Sequence, residues 1–204
     1  MQEAGTGRAV YIIDDDREIR RSLSFQLKTL SISTRAFAAA EDFLASLSEL
    51  SPGCILLDVR MPGIDGIDML ALLEERQLDW PVIIMTGHAD VPIAVKAMKA
   101  GAIELLEKPF EESLLLSVLD RGFQKLADRA TELEHRHLIK SRLDVLSPRE
   151  REVLRHLATG EPNKIIAHAL GLSVRTVEMH RANLFTKLGV RSVAEAVGYA
   201  IALG

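Results

Sequence analysis

Residues 56–66 read LLDVRMPGIDG, an apolar pair followed at once by an acid and a turn. The run that leads into it, Cys54-Ile55-Leu56-Leu57, is apolar at every position, which predicts a strand buried on both faces of a parallel sheet. That strand ends on a carboxylate, Asp58, and the turn-forming Met61-Pro62-Gly63 follows at once. A carboxylate at the mouth of a buried strand is expensive to desolvate unless a cation faces it.

Working outward, short apolar runs alternate with amphipathic stretches over residues 9–125. Val10-Tyr11-Ile12-Ile13 precedes a helix from about Glu18 to Thr29, and a weaker strand near Ser33 to Phe37 precedes one beginning near Glu41. Cys54 to Leu57 leads to a helix from Gly66 to Glu75, and Val82-Ile83-Ile84-Met85 to one from Val91 to Ala100. Asp90 is the expected N-cap of that last helix, with Pro92 in its first turn and Gly101 past its end. Ile103 to Leu106 makes a fifth strand, and a long helix starts near Glu111. This alternation predicts an α/β doubly wound parallel sheet with helices on both faces.

In such sheets ligands gather at the carboxyl ends of the strands, where strand order reverses. Asp14 and Asp15 follow the first strand, Asp58 the third, Thr86 the fourth and Lys108 the fifth. Three converging carboxylates repel one another unless they share a cation, and a hard divalent ion, Mg²⁺ by preference, suits oxygen ligands. A carboxylate can also attack phosphorus to form an acyl phosphate, with the metal and a lysine ammonium neutralising the transferring oxygens. Lys108 would supply that ammonium, and the Thr86 hydroxyl would donate to the attached phosphoryl group. Taken singly, Asp14-Asp15-Asp16 also reads as a solvated turn, and Thr86 and Lys108 as surface residues. Asp65 and Asp68 read as helix-start charges, and His88 as a loop residue.

At these residues the chain resembles the receiver domain of two-component response regulators, through IIDDD, ILLDVRMPG, MTGHAD and EKPF in that order. The resemblance implies a flavodoxin-like fold with Asp58 as phosphoacceptor and Thr86 and Lys108 as signalling residues. It also implies Asp14, Asp15, Asp58 and the Arg60 backbone carbonyl as metal ligands, and a cis peptide before Pro109. One position departs from the pattern: Leu105 stands where receivers usually carry an aromatic ring that swings inward on activation.

With 204 residues, 48% hydrophobic and a mean hydropathy of +0.11, the chain has the length and composition of two small globular domains. Residues 1–125 hold 13 Lys+Arg against 20 Asp+Glu, whereas residues 145–204 hold 8 against 5. Opposite signs point to different partners for the two halves. The one cysteine, Cys54, sits in an apolar strand, which excludes a disulfide framework and reads as a small core residue. The opening MQEAGTGRAV has no signal pattern, and no apolar run approaches the roughly 18 residues of a membrane helix, so a cytoplasmic location is expected.

Past the fifth strand, Leu116, Leu119, Phe123, Leu126, Ala130, Leu133 and His137 recur at alternating spacings of three and four, a seam of about three heptads. Up to Phe123 it is expected to pack on the sheet; past Leu126 it is expected to pair with a second chain. Gly122 weakens the helix locally. His135 and His137 do not share a helix face and make a poor metal pair. The expected division is 1–125 for the first domain, 126–144 for a helical linker and 145–204 for a second domain.

That second domain begins with a capping box, Ser147-Pro148-Arg149-Glu150, opening a helix to about Ala158. Helices near Asn163 to Leu170 and Val174 to Leu188 flank the turn Gly171-Leu172-Ser173, a helix-turn-helix; Ser192 and Glu195 suggest a further capping box. Val177, Leu184 and Leu188 share one face of the third helix, so Arg175, Glu178, Met179 and Ala182 lie toward the other, the face that enters a major groove, and Thr176 is a further expected DNA contact. Glu178 could accept from cytosine N4, while Arg175, His180, Arg181 and Lys187 suit phosphates; Asn163 and Lys164 could clamp the backbone.

Residues 146–204 resemble the output domain of LuxR-type regulators, through LSPREREVL and NKIIAHALGLSVRTVEMHRANLFTKLGVRS. With the receiver, the chain resembles a FixJ/NarL-type response regulator. This implies a phosphorylation-activated transcriptional regulator with a sensor histidine kinase as donor, a dimer on activation, and contacts with promoter DNA and RNA polymerase. It is then no enzyme beyond its own Mg²⁺-dependent phosphoryl transfer to, and hydrolysis from, Asp58. Two other classes stay open at this level: a Mg²⁺ phosphatase, although no Gly-rich phosphate loop is present, and a binding module independent of phosphorylation.

Overall fold

The computed structural model describes residues 8–88 and 91–201. Asp90, the expected cap, lies outside them, as do residues 1–7 of the opening stretch. Five strands, β1 (Ala9–Ile13), β2 (Ser33–Phe37), β3 (Cys54–Asp58), β4 (Val82–Thr86) and β5 (Glu104–Glu107), form one parallel sheet in the order β2-β1-β3-β4-β5. β3 and β4 are buried at every residue, as an unbroken apolar run in a central parallel strand requires, whereas β2 is a largely exposed edge. β5 starts one residue later than the apolar run suggests: the Ile103 N–H donates to Val82 O and only then does the ladder begin.

Period-two alternation splits each central strand between two cores. Tyr11, Ile13, Ile55, Leu57 and Ile84 join Phe43 of α2 (Ala40–Ser46), Met69 and Leu73 of α3 (Gly66–Glu75) and Ala97 of α4 (Val91–Lys99). Val10, Ile12, Cys54, Leu56 and Ile83 join Leu23 and Leu27 of α1 (Arg17–Thr29) and Leu115, Val118 and Leu119 of α5 (Glu112–Asp144). Each fully buried Leu or Ile contributes about 1.5–3 kcal/mol to holding the layers. Asp16 and Asp65 cap α1 and α3 by accepting backbone N–H bonds, so the third acid of Asp14-Asp15-Asp16 has a structural task. Gly122 lets α5 close on β3: a Cβ there would stand 2.6 Å from the Cys54 sulfur. The expected weak point is thus a packing requirement. Burial pushes the Cys54 thiol up to about 12, so it behaves as an inert core group.

The chain divides into two compact units between Arg129 and Ala130. In the first, the seam packs on the sheet through Leu119, Phe123 and, one step further than expected, Leu126. In the second, Ala130, Leu133 and His137 are exposed, and the last turns of α5 enter a separate core through Ile139 and Leu143. That core also holds α6 (Pro148–Ala158), α7 (Asn163–Leu170), α8 (Val174–Leu188) and α9 (Val193–Ile201). Ser147 and Glu150 form the capping box, and Gly171 and Gly189 end α7 and α8 with left-handed backbone. At α9 Ser192 Oγ accepts from Glu195 N–H, and the Glu195 carboxylate accepts from the Ser192 hydroxyl and from Arg191 N–H, one residue before the backbone N–H that a capping box would use.

Candidate functional site

Parallel strands deliver their last residues to one edge of the sheet. Asp14 follows β1, Asp58 closes β3, Thr86 closes β4 and Lys108 follows β5. β1 and β3 are neighbours from which the chain winds in opposite directions, so Asp14 and Asp58 flank the crevice where order reverses.

Lys108 Nζ donates to Asp14 Oδ2 at 2.6 Å and to Asp58 Oδ1 at 2.5 Å. Backbone N–H groups meet the other oxygens: Asp16 donates to Asp14 Oδ1 at 2.9 Å and Arg60 to Asp58 Oδ2 at 2.7 Å. Both carboxylates are buried, so the ammonium offsets a repulsion that water cannot screen. Burial pushes the Asp58 carboxyl above its ordinary range, against the pull of the Lys108 hydrogen bond and charge. Burial also works against the Lys108 ammonium, but the bonds and charges of Asp14 and Asp58 together outweigh it and raise its pKa. The Lys108–Pro109 peptide is cis.

The third expected acid stands apart. Asp15 is exposed, and with Arg60, Asp65, Asp68 and Lys96 it lines a depression of about 670 Å³. Among the described residues no group of three or more His, Cys, Asp or Glu is gathered closely enough to hold a metal ion. The cation that Asp14 and Asp58 share in this arrangement is the Lys108 ammonium. The donors on offer, carboxylates and the Arg60 carbonyl, are nevertheless all oxygen, the set a hard divalent cation takes.

The Thr86 hydroxyl is buried and turned along its own loop, donating to His88 O at 2.9 Å and accepting from His88 N–H at 3.2 Å. His88 therefore touches the site's neighbourhood through its backbone. Leu105 is half-buried beside Ile84 and packs against the α2–α4 side of the core, with no ring to turn.

In the second unit α8 buries Val177, Leu184 and Leu188 and exposes Arg175, Glu178, Met179 and Ala182. Thr176 shares a 2.8 Å hydrogen bond with the Ser173 cap, and His180 is half-buried. Lys164 is exposed at the start of α7. Two expected phosphate contacts have other partners. Arg181 donates to Asn163 Oδ1, tying α8 to α7, and Lys187 donates to buried Glu150 at 2.7 Å. Burial alone would raise the Glu150 pKa, but the Lys187 and Ser147 hydrogen bonds outweigh it and lower the value.

Residues 10–120 match the family model of the response regulator receiver domain, and residues 144–200 that of the bacterial regulatory proteins of the luxR family. The transcriptional regulatory protein FixJ of Bradyrhizobium diazoefficiens is 43% identical over 195 residues, 96% of this chain and 95% of that one. The chain is a FixJ/NarL-type response regulator. Its fold is shared with the low-resolution structure of the response regulator StyR, at 37% identity and a TM-score of 0.85 over 96% of this chain and 99% of that one. Full-length FixJ from B. japonicum, 42% identical, superposes with a TM-score of 0.61 over 97% of each chain.

The response regulator thus joins a receiver to a LuxR-type DNA-binding domain and belongs to a family of transcription regulators. Among its described residues no helix is long and apolar enough to cross a membrane. Sequence reading missed the Lys187–Glu150 pair, whose members lie on different helices, and the Arg142 contacts with Leu188 and Tyr199. The capping box was the available signal for Glu150, since it holds that carboxylate at a fixed place.

Proposed function

We propose that the response regulator accepts a phosphoryl group on Asp58 from a sensor histidine kinase and thereby gains affinity for promoter DNA. The observation that carries this reading is the buried Asp58 carboxylate, held with Asp14 by one ammonium at the strand-order reversal. Attack by an Asp58 oxygen on phosphorus forms the acyl phosphate as the bond to the donor's histidine nitrogen breaks. Lys108, already within hydrogen-bonding distance, follows the new charge from the carboxylate to the phosphoryl oxygens. The Thr86 hydroxyl leaves the His88 backbone and donates to the phosphoryl group. Mg²⁺ would be held by Asp14, Asp15, Asp58 and the Arg60 carbonyl, and when bound it neutralises charge on the transferring oxygens. Water later hydrolyses the acyl phosphate, so the chain's own chemistry is confined to loading and clearing Asp58. With Leu105 in the aromatic position, the switch runs through Thr86 and α4 without a ring rotation.

Downstream, the exposed seam of α5 at Ala130, Leu133 and His137 pairs with a second copy, and the two DNA-binding domains take paired half-sites. Arg175, Thr176, Glu178, Met179 and His180 present the groove-facing side of α8, with Glu178 reading a base. Asn163, Lys164, Arg181 and Lys187 contact or steady the phosphate backbone, with Arg181 and Lys187 also bracing the helix. RNA polymerase is the recipient of the signal, and the cytoplasm the place of action. The test is DNA affinity with and without a small phosphodonor and Mg²⁺: wild type should tighten and Asp58→Ala should not. Equal tightening in both contradicts the reading.

A further inference from the structure

The last turn of α8 leaves carbonyls without helical partners. The backbone N–H groups that close the helix at Gly189 and Val190 take Thr186 O and Phe185 O. Leu188 O instead accepts from Arg142 Nη1 at 2.9 Å, a donor on α5. The same nitrogen donates to the Tyr199 hydroxyl at 2.6 Å, and the guanidinium lies 6.0 Å from the Tyr199 ring, so one side chain joins α5, α8 and α9. A cation is also the group that the negative end of the α8 dipole favours. One residue along, Leu143 is buried in the core that holds Leu184 and Leu188.

We infer that Arg142 is the positioning residue that makes the orientation of the groove-facing helix depend on α5. The inference rests on the reading that phosphorylation pairs the exposed part of α5. Leu138 is four residues before Arg142 and Leu133 nine, and each is 48% exposed, so a second copy covering them bears on the same helix about one to two and a half turns away. α8 is held to α7 by Arg181 and Asn163. The Arg142 bond to Leu188 adds a hold at its far end. A displacement of α5 is then delivered to α8 through a directional hydrogen bond as well as through yielding apolar contacts.

The experiment uses the full chain and measures DNA affinity with and without a phosphodonor and Mg²⁺ in wild type, Arg142→Met and Arg142→Lys. Phosphate incorporation and melting temperature are followed alongside. Arg142→Met keeps the apolar stem but loses the donors. It should load phosphate normally yet lose at least about fivefold of the phosphorylation-dependent gain, the lower range of site-to-site coupling. Arg142→Lys, whose ammonium can still donate to Leu188 O, should recover most of that gain. A purely structural role would weaken binding equally in both states and leave the ratio unmoved. A wild-type affinity indifferent to the phosphodonor refutes the underlying reading and the proposal with it. A wild-type gain retained at full size in Arg142→Met, or lost equally with Arg142→Lys, overturns the proposal alone.

Discussion

Asp58 and Glu150 are both buried acids beside a lysine, yet their environments act in opposite directions. For Asp58 burial wins, so the folded pKa lies above the unfolded one and its stabilising contribution, full below the unfolded value, is lost as pH rises through the folded value. At neutral pH the ionised carboxylate therefore opposes folding. Asp58→Asn should melt at a temperature no lower than wild type at pH 7, with any advantage shrinking as pH is lowered; a clear loss of stability at pH 7 would show that the Lys108 bond dominates. For Glu150 the Lys187 and Ser147 bonds outweigh burial, so the folded pKa is lowered. Its contribution is present above the unfolded pKa and lost as pH falls through the folded one. Acid titration of melting should show the DNA-binding domain weakening below the ordinary glutamate range, and Glu150→Gln should flatten that slope. An unchanged slope would assign the acid sensitivity to other groups. At the groove-facing side, Glu178→Ala should relax preference at one base pair by about 1–3 kcal/mol, while Arg181→Ala weakens binding to every sequence. Binding of base-substituted duplexes separates the two, and a sequence-independent effect of Glu178→Ala would remove it as a reader.

Packing of α5 on β3 is the element most sensitive to a single atom. Alanine at position 122 improves helix propensity by about 1 kcal/mol, but its Cβ would stand 2.6 Å from Cys54 Sγ and 3.4 Å from Pro81 Cβ. Overpacking should prevail, and Gly122→Ala should destabilise the receiver by about 1–3 kcal/mol in denaturant titration. Partial rescue by adding Cys54→Ala would identify the clash; a more stable single variant would deny it. This contact also marks where sequence reading stops. The strands and helices were legible because apolar periodicity is local, and Asp14, Asp58, Thr86 and Lys108 were legible because parallel topology sends every strand end to one edge. Gly122 shows in the sequence only as a local weakness, because the neighbour that requires it, Cys54, is 68 positions away in the chain. Arg142 with Leu188 and Lys187 with Glu150 were illegible for the same reason: no periodicity links groups on separate helices. The position of Thr86 could be read, but not the turn of its hydroxyl toward His88.

At the scale of the molecule, the chain combines an acidic receiver with a mildly basic DNA-binding domain, and Leu133 and Leu138 of α5 are exposed. Sedimentation should give a heavier species with phosphodonor and Mg²⁺ than without, and Leu133→Glu with Leu138→Glu should hold the chain as a monomer in both conditions. A dimer that survives those changes would move the contact elsewhere. All of this depends on Asp58 being the atom-level acceptor. The most direct measurement is intact-mass analysis after incubation with a small phosphodonor and Mg²⁺. One phosphoryl group per wild-type chain and none on Asp58→Asn is the expected result; a phosphoryl group retained at wild-type stoichiometry on Asp58→Asn would contradict it.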